Sequence, residues 1–462
     1  MQNAALLLSL ILALAPALHS ATAQATASTP PSAAPSNPQA AALILSALAS
    51  IDSKDLDGAQ KQLEQAQALR PDQEFYWATY GKLMLRRGQN PEALAAYRKE
   101  LAFYPREIPI YRSIVDVQFA LHQRNDAEKS LHDWALGDPS DPLPAAKLVM
   151  LLVEDGDPPA AIQEANASLA RLAENLRGGH RFDDDRLQVE LGRAQILAGK
   201  KDAGAAAVRA VLAQSSDPGM IDNAAWVLAD ADLDLPAAQT ATQAILVLYG
   251  AETGAWTLAQ PFKSLRGQTT NVASAWETLG WLYFRQGKLD QAHSYMTAAW
   301  LVLQSPETAA HLAEIESSRG EKQAALADYE LALAIKQPDD NLGERKALAP
   351  RPADLQARVA ALGVPEVALT TEELGLQMEK LHTVLLGPHE GRNQRVSYRL
   401  LLKDGLVVDA QPLQANRNIE GALAMLARTD FTRYCPQGAH MQIALSGQFT
   451  CTFGSCQVLV GP

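Results

Sequence analysis

A period of 34 residues runs through the first half of the chain and constrains its fold more than any other feature. Alanines recur at that spacing four times, and prolines recur at it twelve residues after the first three of them: Ala59, Ala93, Ala127, Ala161, Pro71, Pro105 and Pro139. Four units in register cover 40–73, 74–107, 108–141 and 142–175. Such a period predicts one supersecondary element that buries its apolar face by stacking on the next copy.

Unit 74–107 has the pattern of two amphipathic helices joined by a tight turn. Its first helix has Trp77, Tyr80, Gly81 and Met84 at the i, i+3, i+4, i+7 spacing of a single helical face. Gly88 and Pro91 then interrupt the pattern, because glycine ends a helix with a positive φ and proline begins one. The second helix has Ala93, Tyr97 and Leu101 on one face.

These units resemble the tetratricopeptide repeat, and the best match is 273–306. There the expected slots are filled by Trp276, Leu279, Gly280, Tyr283, Gly287, Ala292 and Ala299. Unit 306–339 follows it, and weaker units lie at 185–217 and 218–251. The resemblance implies a mainly α fold over 40–339, a right-handed α-α superhelix of about eight helix pairs, whose concave groove binds a protein or peptide.

Two insertions break the phase of the repeat. The first lies near 177–185, and the second lies near 251–270 and contains Trp256 and Phe262. Insertions in repeat proteins map to loops, often on the binding face. We expect both to form loops beside the groove.

The N-terminal residues have the features of a secretory signal. Residues 4–18 are apolar, and Ala21 and Ala23 fit the small-residue rule for cleavage after Ala23 or Ala25. We expect 1–23 to be a signal peptide, 24–39 a flexible linker, and the mature protein to be periplasmic or secreted from a bacterium. An uncleaved membrane anchor is the alternative.

The chain beyond the repeats has a different pattern. Residues 340–390 are predicted as a linker with short helices near 354–362 and 372–386, and 391–462 as a small α+β module. The module is predicted as ββαβββ, with strands at 396–402, 406–410, 441–445, 448–453 and 456–460 and a helix at 418–427. Asp404 and Gly405 predict a tight hairpin turn.

The module weakly resembles the C-terminal domain of TonB-like energy transducers. The similarity rests on the hairpin from Asp404 to Ala410 and on Tyr434-Cys435-Pro436. A TonB-like role implies that the N-terminal segment stays in the membrane.

All three cysteines lie in this module. Cys451 and Cys456 flank a four-residue turn that places them within reach of a disulfide, which an exported protein retains. Cys435 is the alternative partner or the remaining free thiol.

Several classes of function are excluded by composition and motifs. A formal net charge of −12 argues against nucleic acid as a partner. The sequence has no glycine-rich phosphate loop and no GxSxG elbow. His180 and His389 have no second histidine at ligand spacing, and Asp183, Asp184 and Asp185 lack the spacing of a calcium loop. We therefore expect no catalytic residue, metal or small-molecule cofactor.

The candidate binding residues lie on the first helix of a pair, at positions that are not part of its apolar stripe. They are Lys82, Arg86, Arg112, Phe119, Trp281, Phe284 and Arg285. Aromatic and arginine side chains are the usual anchors of a bound polypeptide. We predict an exported, non-enzymatic scaffold that binds a protein or peptide of the cell envelope in its groove. The alternatives are a TonB-like membrane-anchored component of an envelope complex and a hydrolase with its site between the array and the module.

Overall fold

The computed structural model describes residues 36–105, 107–175, 182–335, 352–363, 369–388, 393–414, 419, 421–452 and 454–461. The predicted signal peptide, residues 24–35 of the linker, 176–181 in the first insertion and 336–351 lie outside those ranges.

The described chain from residue 38 to residue 334 consists of helices in consecutive pairs. The two helices of a pair are joined by two to four residues, and each pair packs on the next along the chain. The first four pairs are α1 (Pro38–Asp52) and α2 (Leu56–Leu69), α3 (Tyr76–Arg86) and α4 (Asn90–Phe103), α5 (Ile108–Ala120) and α6 (Arg124–Gly137), α7 (Leu143–Glu154) and α8 (Pro158–Asn175). The other four are α9 (Phe182–Leu197) and α10 (Lys201–Gln214), α11 (Pro218–Asp230) and α12 (Leu235–Thr253), α13 (Phe262–Arg285) and α14 (Leu289–Leu303), α15 (Pro306–Arg319) and α16 (Lys322–Ala334). The predicted solenoid of eight helix pairs is confirmed.

Glycines on the first helix allow the two helices of a pair to approach closely. A Cβ atom on Gly81 of α3 would lie 2.8 Å from the Tyr97 ring of α4. In the α9–α10 pair, a Cβ atom on Gly192 of α9 would lie 2.5 Å from Val208 Cγ2 and 3.0 Å from the carbonyl oxygen of Gly204. Only a residue without a Cβ fits such contacts, which explains why the glycine recurs in the repeat pattern.

A buried carboxylate caps the N-terminus of α3. The residue before this helix is Phe75, which has a left-handed φ of 66° and no side-chain oxygen to accept a hydrogen bond. Glu100 of α4 is fully buried, and its oxygens accept from Phe75 N–H at 2.6 Å and Ala78 N–H at 3.0 Å. Glu100 thus satisfies two donors that the start of a helix leaves unpaired.

The apolar core is segmented in the first half of the array and continuous in the second. Three separate clusters of buried side chains cover α1–α5, α5–α7 and α7–α9. A single larger cluster extends from Val189 of α9 to Val460 near the C-terminus. The last repeats and the C-terminal module therefore share one core.

The module is a five-stranded antiparallel sheet with three short helices. Its strand order is β1-β5-β4-β2-β3, with β1 and β3 at the edges. The strands are β1 (Thr383–Gly387), β2 (Gln394–Lys403), β3 (Leu406–Pro412), β4 (Gln442–Thr452) and β5 (Ser455–Gly461). The helices are α17 (Pro352–Ala361), α18 (Thr371–His382) and α19 (Ala422–Leu426), and Thr432–Tyr434 form a 3₁₀ turn.

Three sequence predictions about the module were wrong in detail. The helix predicted over 372–386 ends at His382, and the chain continues as β1, so the sheet includes residues before the predicted start at 391. The strands predicted at 441–445 and 448–453 are one strand, because Gly447 stays in the ladder opposite Tyr398. The order is therefore βββαββ. Within the described part of the range predicted as a helix, 418–427, only Ala422–Leu426 are helical, and residues 418 and 420 lie outside the described residues.

The predicted hairpin and the predicted disulfide are both confirmed. Asp404 and Gly405 have φ values of 49° and 76°, as a tight hairpin turn requires. Cys451 and Cys456 face each other across β4 and β5 with their Cα atoms 4.1 Å apart, and they are bonded. Cys435 is a buried free thiol.

The second insertion holds the module against the array. Trp256 and Leu258, between α12 and α13, are 6% and 1% exposed, and they pack with Leu265 of α13 and with Leu401 and Ala444 of the sheet. A hydrogen bond from Ala444 N–H to the Thr269 hydroxyl, at 2.9 Å, adds a polar contact. This insertion therefore contacts the chain's own sheet, where the sequence predicted a loop beside the groove.

Candidate functional site

Two of the predicted groove residues are buried. Phe119 of α5 is 2% exposed and packs in the core shared by α5, α6 and α7. Trp281 of α13 is 4% exposed. The expectation that these aromatic rings project into an open groove is wrong, because the next helix pair covers them.

Trp281 is the centre of an aromatic cluster that joins three consecutive pairs. Its ring lies 6.1 Å from Trp226 of α11, 4.8 Å from Phe284 of its own helix and 4.6 Å from His311 of α15, measured between centroids. Phe284 is half-buried against the same core. Stacked rings at these distances stabilise the helix packing, so both residues join the repeats to one another.

Buried acids fasten the same three helices. Asp222 of α11 accepts hydrogen bonds from Ser274 Oγ at 2.8 Å and Thr278 Oγ1 at 2.6 Å, both on α13. Glu277 of α13 accepts a hydrogen bond from Thr308 Oγ1 of α15 at 3.0 Å. Hydrogen bonds to a buried charge fix geometry strongly, and this end of the array is therefore a rigid wall.

Two of the predicted basic residues form ion pairs between neighbouring pairs of helices. Lys82 Nζ lies 3.0 Å from Asp52 Oδ1, and Arg285 lies 3.3 Å from Asp232 Oδ2. The hydrogen bond and charge of Lys82 lower the pKa of Asp52. Lys82 and Arg285 thus set the spacing between repeats.

Arg86 and Arg112 are the exposed members of the predicted set. Arg86 lies in the last turn of α3. Arg112 Nε lies 3.9 Å from Oδ2 of Asp116, which is one turn further along the same face of α5. Both extend from the first helices of N-terminal pairs.

A row of exposed apolar side chains was not predicted from the sequence. Leu69, Phe103 and Leu136 lie in the last turn of α2, α4 and α6, the second helices of three consecutive pairs, and are 42%, 38% and 70% exposed. We call these three residues the apolar edge. Phe75, 51% exposed, is close to it, since its backbone N–H bonds to Glu100 one turn before Phe103. The spacing of about 34 residues is the signal that could have revealed the row.

A cleft of about 700 Å³ lies between α14 and the module. Its walls include His293 and Thr297 of α14, and Arg433, Cys435 and His440 of the module. The sequence could not show this cleft, because its two walls are more than a hundred residues apart along the chain.

The groups in the cleft do not form an activated nucleophile. Burial raises the pKa of the Cys435 thiol to about 11, so it stays protonated at neutral pH and reacts poorly. His440 is exposed, and its Nδ1 lies 3.3 Å from Asp404 Oδ1.

A cluster of possible metal ligands lies at the α14 side of this cleft. His293 Nε2 is 3.5 Å from Glu316 Oε1 and 3.9 Å from Glu321 Oε2. Asp328 of α16 is next to it, and burial together with the charge of Glu316 raises the pKa of Asp328 to about 8, an effect that Arg433 opposes. The closeness of the two carboxyl groups thus favours the protonated form of Asp328.

Other residues singled out in the sequence lie outside what the structure describes. These are His180 and His389, and the side chains of Asp183 and Asp184. Among the described helices, none is both long and apolar enough to cross a bilayer.

Comparisons with known proteins give similarity in structure only. No protein-family model matches the chain, and no curated protein matches it. A tetratricopeptide repeat protein from Parabacteroides merdae is 14% identical in sequence. The match covers 71% of this chain and 100% of that chain, with a TM-score of 0.40. The Cut9–Hcn1 hetero-tetramer of the APC/C has a chain that is 14% identical, with 63% of this chain and 52% of that chain covered and a TM-score of 0.38.

Proposed function

We propose that this chain is a non-enzymatic repeat scaffold that binds a partner protein or peptide on its N-terminal helix pairs. The observation that supports this most is the apolar edge, where three consecutive pairs each expose an apolar side chain in the last turn of the second helix. Exposed apolar side chains with polar neighbours are typical of interaction sites. Arg112, near the start of α5, provides a charged side chain at the end of the helix pairs where the apolar edge lies, whereas Arg86 lies at the opposite end of α3.

The C-terminal pairs differ in a way that supports the same assignment. Val302 and Leu303 in the last turn of α14, where Phe103 lies in α4, are buried or half-buried in the core that includes the module. In the C-terminal pairs, this surface is therefore buried in the core that the array shares with the module. The N-terminal pairs keep the corresponding surface accessible.

Replacing Leu69, Phe103 and Leu136 together by glutamine is expected to reduce partner capture about tenfold or more. Each interface hot spot contributes about 2 kcal/mol or more to the binding free energy, and about 2 kcal/mol corresponds to more than a tenfold change in affinity. The measurement is quantitative crosslinking mass spectrometry of the tagged chain in an envelope extract of its own cells.

The matched control replaces Leu385, Leu406 and Leu423 by glutamine, three residues of the module that are 74%, 53% and 56% exposed. In both triple variants, the unfolding free energy should differ from the wild-type value by at most about 0.5 kcal/mol for each substituted site. Equal capture by the wild type and the apolar-edge variant would refute the proposal.

We also propose that the protein is exported and works in the periplasm or outside the cell. The apolar N-terminal run with its small-residue cleavage site supports export, and so does the Cys451–Cys456 disulfide, since such bonds persist in oxidising compartments. N-terminal sequencing of the protein from its own cells is expected to begin at Gln24 or Thr26. A chain that keeps Met1 and stays in the inner membrane would instead favour the TonB-like alternative.

A further inference from the structure

Three side chains from two neighbouring helix pairs converge at the cleft. His293 comes from α14, Glu316 from α15 and Glu321 from the turn before α16. Their ligand atoms, His293 Nε2, Glu316 Oε1 and Glu321 Oε2, all lie within 4.8 Å of one another. In a zinc site the protein ligands lie about 2.0–2.2 Å from the ion, so a small movement of the 40% exposed Glu321 side chain would bring all three into range.

Glu316 has fewer hydrogen-bond donors than buried carboxylates normally have. It is 6% exposed, no N–H or hydroxyl group among the described residues donates to its buried Oε2, and the neighbouring carboxyl group of Asp328 is hydrogen-bonded to its side chain. Glu277, a buried carboxylate of the preceding pair, accepts a hydrogen bond from Thr308 and lies against His311. A buried carboxylate with few donors is costly, and a cation at Oε1 would offset part of that cost.

Glu321 is held by a neighbour in a way that leaves one oxygen available. Arg319 Nε donates to Glu321 Oε1 at 2.9 Å, and Oε2 faces His293. Partners of this kind, which orient a ligating carboxylate through its second oxygen, are usual around metal sites.

We propose that His293, Glu316 and Glu321 bind one Zn²⁺ ion. An imidazole with two carboxylates suits zinc, whereas Mg²⁺ and Ca²⁺ prefer ligand sets made only of oxygen. Three protein ligands leave a fourth position, and of the three His293 also lines the cleft. A carboxylate or imidazole of a molecule in the cleft is the kind of group that the fourth position takes.

The test uses the purified full-length chain after treatment with EDTA. Calorimetric titration with ZnCl₂ should give one ion per chain, and Co²⁺ should produce visible absorption bands of a site with nitrogen and oxygen ligands. His293→Ala and Glu321→Gln should each weaken Zn²⁺ binding by more than the roughly 10–100-fold seen when an outer-shell partner is lost. His440→Ala, which removes an exposed histidine of the same cleft, should bind as the wild type does.

Glu321 is partly exposed, so Glu321→Gln is expected to fold and it keeps the test decisive if His293→Ala does not fold. Circular dichroism checks folding in each case. The proposal is overturned by the absence of saturable one-to-one binding. It is equally overturned if His293→Ala and Glu321→Gln bind Zn²⁺ as tightly as His440→Ala does.

Discussion

Replacing Trp256 by alanine is expected to lower the free energy of unfolding by about 3–5 kcal/mol, the range for a buried tryptophan in a core. Trp256 fills the space between the array and the sheet, where it packs with Leu401 and Ala444. The substitution leaves a cavity that neither rigid side can close. The contact of the module with the array should weaken as well, and limited proteolysis should separate the module from the array faster.

Urea denaturation followed by circular dichroism measures the first effect, and limited proteolysis measures the second. Val247→Ala on α12 is the matched control, because this apolar side chain is 75% exposed; it should change the unfolding free energy by at most about 0.5 kcal/mol. Unchanged stability and an unchanged cleavage rate in Trp256→Ala would show that the insertion does not hold the module.

Replacing Glu100 by alanine is expected to cost about 3 kcal/mol of unfolding free energy. The variant loses two hydrogen bonds to a charged group, each contributing about 1.5–3 kcal/mol, and it leaves the N–H groups of Phe75 and Ala78 buried without an acceptor. Burial raises the pKa of Glu100, which offsets part of the gain, so the expected value lies at the lower end of the sum.

Glu100→Gln should cost less than Glu100→Ala, because the amide keeps one oxygen for one of the two N–H groups. Glu64→Ala on α2 serves as the control, since that glutamate is exposed and bonds only to Gln60 among the hydrogen bonds described. Thermal and urea unfolding of the four proteins gives the comparison. If alanine and glutamine at position 100 leave stability at the wild-type value, Glu100 does not cap α3.

The groove residues show where reasoning from the sequence stopped. Of the residues predicted to line the groove, Arg86 and Arg112 are exposed. Trp281 and Phe119 lie on helices of the same kind, but neighbouring pairs bury them. Exposure depends on the shape of the adjacent repeat, and a pattern within one repeat contains no information about that shape.

The His293 cluster shows the same limit for chemistry. Its three residues are separated by 23 and 5 positions in the sequence, a spacing that matches no known ligand motif. They meet because α14, α15 and the turn before α16 pack side by side. In the sequence alone, nothing distinguishes any of the three residues from an ordinary charged or polar surface residue.

The sequence by itself determined the helix pairs and the Asp404-Gly405 hairpin, and it placed Cys451 and Cys456 within reach of a bond while leaving Cys435 as the alternative partner. Each depends on residues within about 34 positions of one another, where helical periodicity, turn conformation and chain reach act directly. Only the tertiary structure decided that the module joins the core of the last repeats, that Trp256 lies beneath it and that the N-terminal pairs stay open. Those outcomes depend on apolar burial between segments more than a hundred residues apart, and burial depends on the shapes of both surfaces, which no local pattern records.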